Sequence, residues 1–312
     1  MELNIECPIC QSESEHIRSI PDVGEIYCCK LCQLAFTNQT SLPKSPESLY
    51  NDAYKGLTLN IGMQEYHMRT VLKEQRSKGN IEPEIMGFWG VRGEAIRWLK
   101  RNVPEGSVVL EIGAGMGYFL TAARKNGFEP VGLDVAEEAV KTLNNDGFKM
   151  WHGTVDSITH NWQRPTVCAS FFVLHHLADP IGFLTTIRTK FPEAYLIVAA
   201  WKRFPLPSQL KPAGLPPRTL TWWSLNALQK AVEKAGYQVD TVVQSMEHEE
   251  FGLPRVTPHG FSDWALSSGH YRLFSIYHAI KPKVFLPWKF LKRLRGKSSS
   301  ILVLGKPKDG SY

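Results

Sequence analysis

The chain has 312 residues, 43% of them apolar and 21% charged, with 36 Lys and Arg against 30 Asp and Glu. That composition excludes a disordered, collagenous or coiled-coil protein, and a compact chain of this length removes roughly three-quarters of its unfolded surface from water without needing disulfides. The formal net charge of +6 is unevenly held: residues 264–308 carry ten Lys and Arg and no acid, which leaves 26 basic against 30 acidic residues elsewhere.

The opening residues, Met1 to Cys10, include Glu2 and Glu6 and lack the basic-then-apolar pattern of a secretory leader. The longest apolar run, Tyr195 to Trp201, is far short of the ~20 residues that span a bilayer. A cytoplasmic protein with reduced thiols is expected.

Five of the six cysteines lie within the first 32 residues. Cys7 and Cys10, then Cys29 and Cys32, make two C-x2-C pairs around an 18-residue spacer, the spacing of a zinc ribbon. Four thiolates close a tetrahedral site, so a zinc ion there would be structural and its functional role docking. Reduced free thiols, or a redox pair, are the competing reading. Cys28 is spare, and Cys168 stands alone. Residues 1–45 are assigned to this ribbon. The Pro- and Ser-rich stretch 41–48 reads as a linker, and helical periodicity around Met63 to Gln75 and Phe88 to Leu99 makes 46–104 a linker and helical lead-in.

Val108 to Ile112 is a short buried-strand pattern, followed by Gly113-Ala114-Gly115-Met116-Gly117 and a helical stretch from Tyr118 to Asn126. Glu129 to Leu133 reads as the next strand, with Asp134 at its carboxyl end, and Ala136 to Asn145 as the next helix. The βαβα order calls for a parallel sheet. A glycine loop there lets the backbone approach a ligand, and an acid at the second strand tip can accept hydrogen bonds from both ribose hydroxyls. The dinucleotide fingerprint wants a third glycine where Tyr118 stands, so the G-x-G-x-G spacing favours S-adenosylmethionine, which has no pyrophosphate, over NAD. Glycines serving only as turn residues are the alternative. This core is assigned to 105–250.

Val109 to Gly117 resembles the first motif of class I adenosylmethionine-dependent methyltransferases, and Val131-Gly132-Leu133-Asp134 resembles their second. Cys7 to Thr37, Tyr50-Asn51-Asp52-Ala53-Tyr54 and Phe171 to Pro180 are similar to a bacterial subgroup with an N-terminal zinc ribbon. The resemblance implies a seven-stranded, mostly parallel, doubly wound α/β sheet, a Rossmann-like methyltransferase fold. It also implies acceptors that are saccharides, lipid-linked glycans or other small metabolites. By that resemblance Gly113, Ala114, Gly115 and Gly117 line the methionine moiety, Glu111 supports the loop, Asp134 holds the ribose and Val135 lies near the adenine. In the loop Gly153-Thr154-Val155-Asp156, Thr154 stands where the family often places an acid facing the adenine, and Thr154 and Val155 are taken as cofactor-binding. Gln11 and Gln33 replace the usual knuckle glycines, which questions the turn geometry there. Pro216-Pro217-Arg218-Thr219-Leu220 is similar to the subgroup's Pro-Pro-x-His-Leu segment without its histidine.

Methyl transfer from a sulfonium asks the enzyme mainly to position the reactants, but an alcohol acceptor must also lose a proton, and a positioned base is worth roughly a hundred- to ten-thousand-fold. His176, followed by His175, is the candidate base because it follows the strand Val167 to Val173 at the sheet's carboxyl end. The alternative is that one histidine caps or braces the next helix. His152 is placed near the adenine, and Asp179-Pro180 begins a helix with Asp179 as its cap. Trp201, Trp222 and Trp223 could wall an acceptor pocket or fill the core; because Trp222 and Trp223 are adjacent before a helix at Leu225 to Ala235, only one of them is expected to face the core.

After a strand at Tyr237 to Val243, residues 251–297 form a basic, aromatic helical insertion before Ser300 to Leu304 returns as the last strand of a 298–312 tail. Cations interleaved with rings over 264–297 suit an anionic membrane surface, which would place the protein peripherally at the inner face of the membrane. The same composition suits an RNA backbone, or a helical cap whose charges are solvated. The sequence therefore predicts a methyltransferase using S-adenosylmethionine and structural zinc on a saccharide, glycan or small-molecule acceptor. RNA methylation, or a non-catalytic adenosylmethionine-binding module, are the alternatives. The sequence leaves oligomeric state open.

Overall fold

The N-terminal cysteine region folds as a meander of β1 (Ile5–Glu6), β2 (Glu13–Ile20), β3 (Gly24–Cys29) and β4 (Ala35–Thr37), each antiparallel to the one before. The core follows as α1 (Gly90–Asn102), β5 (Val108–Ile112), α2 (Tyr118–Lys125), β6 (Glu129–Asp134), α3 (Glu137–Asn145), β7 (Lys149–His152), β8 (Val167–Phe171), α4 (Pro180–Lys190), β9 (Tyr195–Trp201), β10 (Thr221–Trp222), α5 (Leu225–Lys234), β11 (Tyr237–Ser245) and β12 (Ser300–Pro307). The computed structural model describes residues 5–20, 24–37, 90–115, 117–159, 163–202, 215–216, 218–245 and 300–308. The linker at 41–48, the helical periodicity at 63–75 and the basic stretch 264–297 lie outside the described residues.

The main sheet has seven strands in the order β11-β12-β9-β8-β5-β6-β7. β5 to β9 are mutually parallel where they pair, and β12 lies antiparallel between β9 and β11. β5 is buried at all five positions, as a parallel strand covered on both faces must be, and so reads as a near-continuous apolar run. On one face α1 and α2 bring Val91, Ala95, Leu99 and Phe119 against Val109, Ile197 and Leu302. On the other, α4 and α5 bring Leu184, Ile187, Leu228 and Val232 against Leu110, Leu196 and Val303. Consecutive strand residues thus serve opposite faces, and the sheet is doubly wound as expected. No helix among the described residues is long and apolar enough to cross a membrane.

Two expectations needed correction. The strand expected over Val167 to Val173 stops at Phe171, because Phe172 takes a left-handed φ of 62° and throws the chain into a tight turn at Leu174–His176. Trp222 and Trp223 are both buried, because there are two cores to fill: Trp222 packs with Ile26 and Ala35 under the ribbon sheet, while Trp223 joins the main core. The α4 start is as the sequence reads: Asp179 accepts a hydrogen bond from the Gly182 N–H at 2.8 Å, and Pro180 takes the first helical position.

The far ends of several elements meet at one buried cation. Arg188 of α4 donates to the carbonyls of Gly236 (3.2 Å), Lys308 (2.9 Å) and Pro192, and lies over the Tyr237 ring. It thereby ties α4 to the turn before β11 and to the end of β12. Hydrogen bonds from a charged donor contribute more than neutral ones, and deleting the donor removes three of them at once. Arg188→Ala should therefore lower the unfolding free energy by about 3 kcal/mol in urea titrations with an unchanged m-value; a loss under about 1 kcal/mol would show that the clamp contributes little.

Candidate active site

From β5 the chain continues to β6 on one side of the sheet and reaches β8 on the other, which opens a crevice at the carboxyl ends of these strands. The glycine loop fills its floor. Gly113 N and Ala114 N both donate to the Leu133 carbonyl, at 2.8 and 3.2 Å, and Gly117 N donates to Ala114 O at 2.8 Å. Gly115 N donates to Asp134 Oδ2 at 2.7 Å, and Ala136 N to Asp134 Oδ1 at 2.8 Å. The N–H groups at 113, 114, 115 and 117 are therefore committed within the protein, and at these four positions the loop offers a ligand close backbone approach rather than free donors. Gly113 has φ of 78°, and a Cβ there would lie 2.4 Å from Val173 Cγ2, so only glycine fits between the loop and the turn after β8.

Asp134 sits where the sequence places it, at the carboxyl end of β6, 7% exposed. Burial pushes its carboxyl above the usual range, and the N–H bonds from Ala136 and Gly115 pull it back. Glu111 on β5 is buried with it. Burial raises its carboxyl to about 8, opposed by the guanidinium of Arg92 and reinforced by the Asp134 charge. Glu111 Oε2 has no hydrogen-bond partner among the described residues. Arg92, on α1, lies 5.0 Å over the Phe172 ring, 5.4 Å over Phe171 and 5.8 Å over Tyr118. Sequence reasoning missed Arg92, since nothing in its spacing links α1 to the glycine loop.

On the far side of Asp134, Val135 is half-buried and its carbonyl faces His152 Nε2 at 3.0 Å. Thr154 is exposed, with its carbonyl accepting from Ser157 Oγ at 2.7 Å, and the Val155 side chain is buried in the main core, so Val155 can meet a ligand only with its main chain. His175 and His176 lie on the turn beside Gly113, with ring centroids 3.8 Å apart. His175 is buried at 7% exposure. His176 Nδ1 donates to the Arg218 carbonyl, which fixes the tautomer with the lone pair on Nε2. Burial holds its basicity down to about 4, and the nearby Arg218 charge acts the same way against the pull of that hydrogen bond. The histidine-less Arg218-Thr219-Leu220 segment is thus adjacent to the two histidines. Trp201 stacks on Phe172 at 4.3 Å between centroids, beside the crevice; Trp222 and Trp223 are sealed in the cores.

The four predicted zinc ligands converge. The sulfurs of Cys7, Cys10, Cys29 and Cys32 all lie within 4.8 Å of one another, with Cys7 to Cys32 at 3.5 Å and Cys10 to Cys29 at 3.4 Å. Tetrahedral corners about 2.3 Å from a common zinc are about 3.8 Å apart, so the donor set fits the ion. Ile9 N donates to Cys7 Sγ and Cys32 N to Cys29 Sγ, the N–H to sulfur bonds that tight knuckles make. Gln11 and Gln33 take φ of 60° and 61°, supplying the left-handed turns without glycine. Cys28 is outside the cluster, and burial raises its thiol to about 11.

Residues 90–242 match the family model of a methyltransferase domain. They form a methyltransferase domain. No curated protein matches the chain. Among solved structures, the Haloferax volcanii complex of the Trm112 methyltransferase activator with a methyltransferase partner is similar at 18% identity and a TM-score of 0.53, over 84% of this chain and 99% of that one. The 4+2 cyclase SpnF is similar at 13% identity and a TM-score of 0.51, over 87% of this chain and 100% of that one. Magnesium protoporphyrin IX methyltransferase from Synechocystis PCC 6803, with bound SAH, has 11% identity and a TM-score of 0.46, over 84% and 100%. These likenesses are of fold.

The methyltransferase domain suits S-adenosylmethionine on its own geometry. Gly113 leaves no room for a side chain at the carboxyl end of β5, Asp134 stands buried at the carboxyl end of β6, and Glu111 Oε2 is a buried oxygen with no hydrogen-bond partner among the described residues. The cysteine cluster suits zinc by its four convergent sulfurs and their spacing. Purified protein should carry one zinc per chain by elemental analysis, and Cys10→Ala should release it; one tightly bound zinc remaining in that variant would exclude the four-cysteine site.

Proposed function

We propose that the chain transfers the methyl group of S-adenosylmethionine to a hydroxyl of a saccharide, a lipid-linked glycan intermediate or a related small molecule. Bound in the crevice, adenosylmethionine supplies an electrophilic methyl on a sulfonium that leaves without a proton. Gly113, Ala114, Gly115 and Gly117 would line its methionine portion and Asp134 its ribose, with Val135 and the main chain at Thr154 and Val155 at the adenine. Cys7, Cys10, Cys29 and Cys32 would hold structural zinc.

The observation that carries the hydroxyl acceptor is the tautomer of His176. With Nδ1–H committed to the Arg218 carbonyl, Nε2 is the basic atom, and it belongs to a turn packed on the glycine loop. A ring held near 4, with Arg218 and His175 as its charged or titratable neighbours, is uncharged throughout the physiological range. The buried His175 braces the same turn.

Three outcomes test this reading. Asp134→Ala should weaken adenosylmethionine binding at least tenfold by calorimetry, and unchanged affinity would remove Asp134 from the site. His176→Ala should lower the transfer rate by roughly a hundred-fold or more while leaving S-adenosylhomocysteine affinity within about twofold; intact turnover would end the general-base role. The wild-type rate should be flat from neutral pH down to about 5 and decline only toward 4, because protonation of a depressed histidine begins well below its ordinary value near 6.5. An acid limb centred near 6.5 would contradict it.

The acceptor class is read by incubating the protein with methyl-labelled adenosylmethionine and cell extract, then separating organic-soluble, glycan and RNA fractions. Label in the organic or glycan fraction is the expected result. Label in RNA would overturn the acceptor assignment and direct attention to the basic residues 264–297.

A further inference from the structure

The ribbon is joined to the methyltransferase core through the same short segment that holds the histidine turn. β10 is only two residues long, and its sheet partner is β4 of the ribbon, with Thr221 opposite Phe36 and Trp222 opposite Ala35. Thr37 N extends the pairing by donating to Leu220 O at 3.0 Å. On its other side the segment grips the turn: Leu220 N donates to His175 O at 2.8 Å, Thr221 Oγ1 to Leu174 O at 3.3 Å, and the Arg218 carbonyl receives His176 Nδ1–H. A two-residue strand cannot fix its own register, so its position is set by its pairing with β4 on the ribbon side, together with a bridge from Trp223 to Lys202 on the core side.

β4 is in turn set by the second cysteine knuckle, where Cys29 N donates to Leu34 O and Gln33 N to Cys29 O, at 2.9 and 3.0 Å. Two side chains of the core reach directly into that knuckle. Ser224 Oγ donates to the Cys32 carbonyl at 2.7 Å while accepting from Ala227 N at 3.0 Å as the cap of α5, and Asn226 Nδ2 donates to Leu31 O at 3.1 Å. Ser224 is 6% exposed and lies two residues beyond β10. The knuckle thus fixes the segment both through the β4 pairing and through Ser224.

We infer that Ser224 is a positioning residue through which the zinc knuckle sets residues 218–222, and with them the His176 ring, independently of the adenosylmethionine half of the site. The glycine loop and Asp134 are anchored instead by β5 and β6, through Leu133 O and the loop's own N–H groups. Losing the knuckle should therefore loosen the acceptor side while the cofactor side persists. The inference takes the catalytic use of His176 from the proposed function, but the placement of the turn stands apart from it.

The test uses the full chain, with S-adenosylhomocysteine as the probe of the cofactor side. Hydrogen exchange is followed by mass spectrometry in wild type, Ser224→Ala and Ser224→Thr, and in wild type after zinc removal by chelator. Ser224→Ala should keep one zinc per chain, bind S-adenosylhomocysteine within threefold of wild type, and exchange at least tenfold faster at both 174–177 and 218–223, with no change at 108–115. Transfer of methyl label should fall at least fivefold. Ser224→Thr, which keeps the hydroxyl and the cap, should restore both protection and transfer. Zinc removal should deepen the same pattern.

Unchanged exchange at 174–177 in Ser224→Ala, or loss of protection confined to α5 as simple uncapping would give, overturns the inference. Should zinc removal unfold the whole chain, the zinc-loaded Ser224 pair still decides. If the turn loosens as expected while His176→Ala remains active, the positioning relay stands and the base assignment fails.

Discussion

Everything in the crevice depends on where the chain parts on either side of β5. Neighbouring strands that leave in opposite directions cannot both cover the carboxyl end of the strand between them, and the gap must be floored by something thin. Glycine provides it: at Gly113 there is no room for even one carbon beyond the backbone, because Val173 from the β8 turn already occupies the space. The turn carrying His175 and His176 and the glycine loop are therefore packed together at Gly113 and Val173.

The electrostatics follow from the same crowding. Two carboxyl groups, Glu111 and Asp134, are buried within one site, and each meets the cost of burial differently. Asp134 is held by backbone N–H groups, those of Gly115 and Ala136 among them, so it is geometrically fixed. Glu111 relies on the Arg92 guanidinium and leaves one oxygen unengaged by the described residues. Arg92 is itself placed over aromatic rings that bracket the strand end, including Phe172, whose left-handed backbone turns it out of β8. A strained residue at the end of a central strand is where a working site is commonly found.

What could be read in the sequence was whatever depends on local spacing. The two C-x2-C pairs, the glycine loop, Asp134 at a strand tip and the Asp179 cap each need only a few neighbouring residues to be recognised, and all are found where they were expected. Long-range partners were not legible. Nothing near Thr221 announces a strand that will join β4, because a two-residue strand has no periodicity of its own. The burial of Trp222 beside the core-facing Trp223 follows from that pairing, which supplies a second core. Arg92 and the Arg218 carbonyl were hidden for the same reason, since each meets its partner only after the sheet has formed. Gln11 and Gln33 mark the opposite case: the glycine preference at those turns is real, yet the knuckle geometry is strong enough to impose a left-handed backbone on glutamine.

The sheet order has a further consequence for how such a chain is made. β12 follows every other described strand in sequence, yet it belongs in the interior of the sheet, between β9 and β11. Until it arrives, both of those strands present unpaired backbone edges, and β9 is among the most apolar segments in the protein. More than fifty residues separate β11 from β12 in the sequence, so the pairing of these edges is among the late, long-range events of folding. Arg188, which grips the Lys308 carbonyl, acts at the end of that interval by holding the late strand in place once it has inserted.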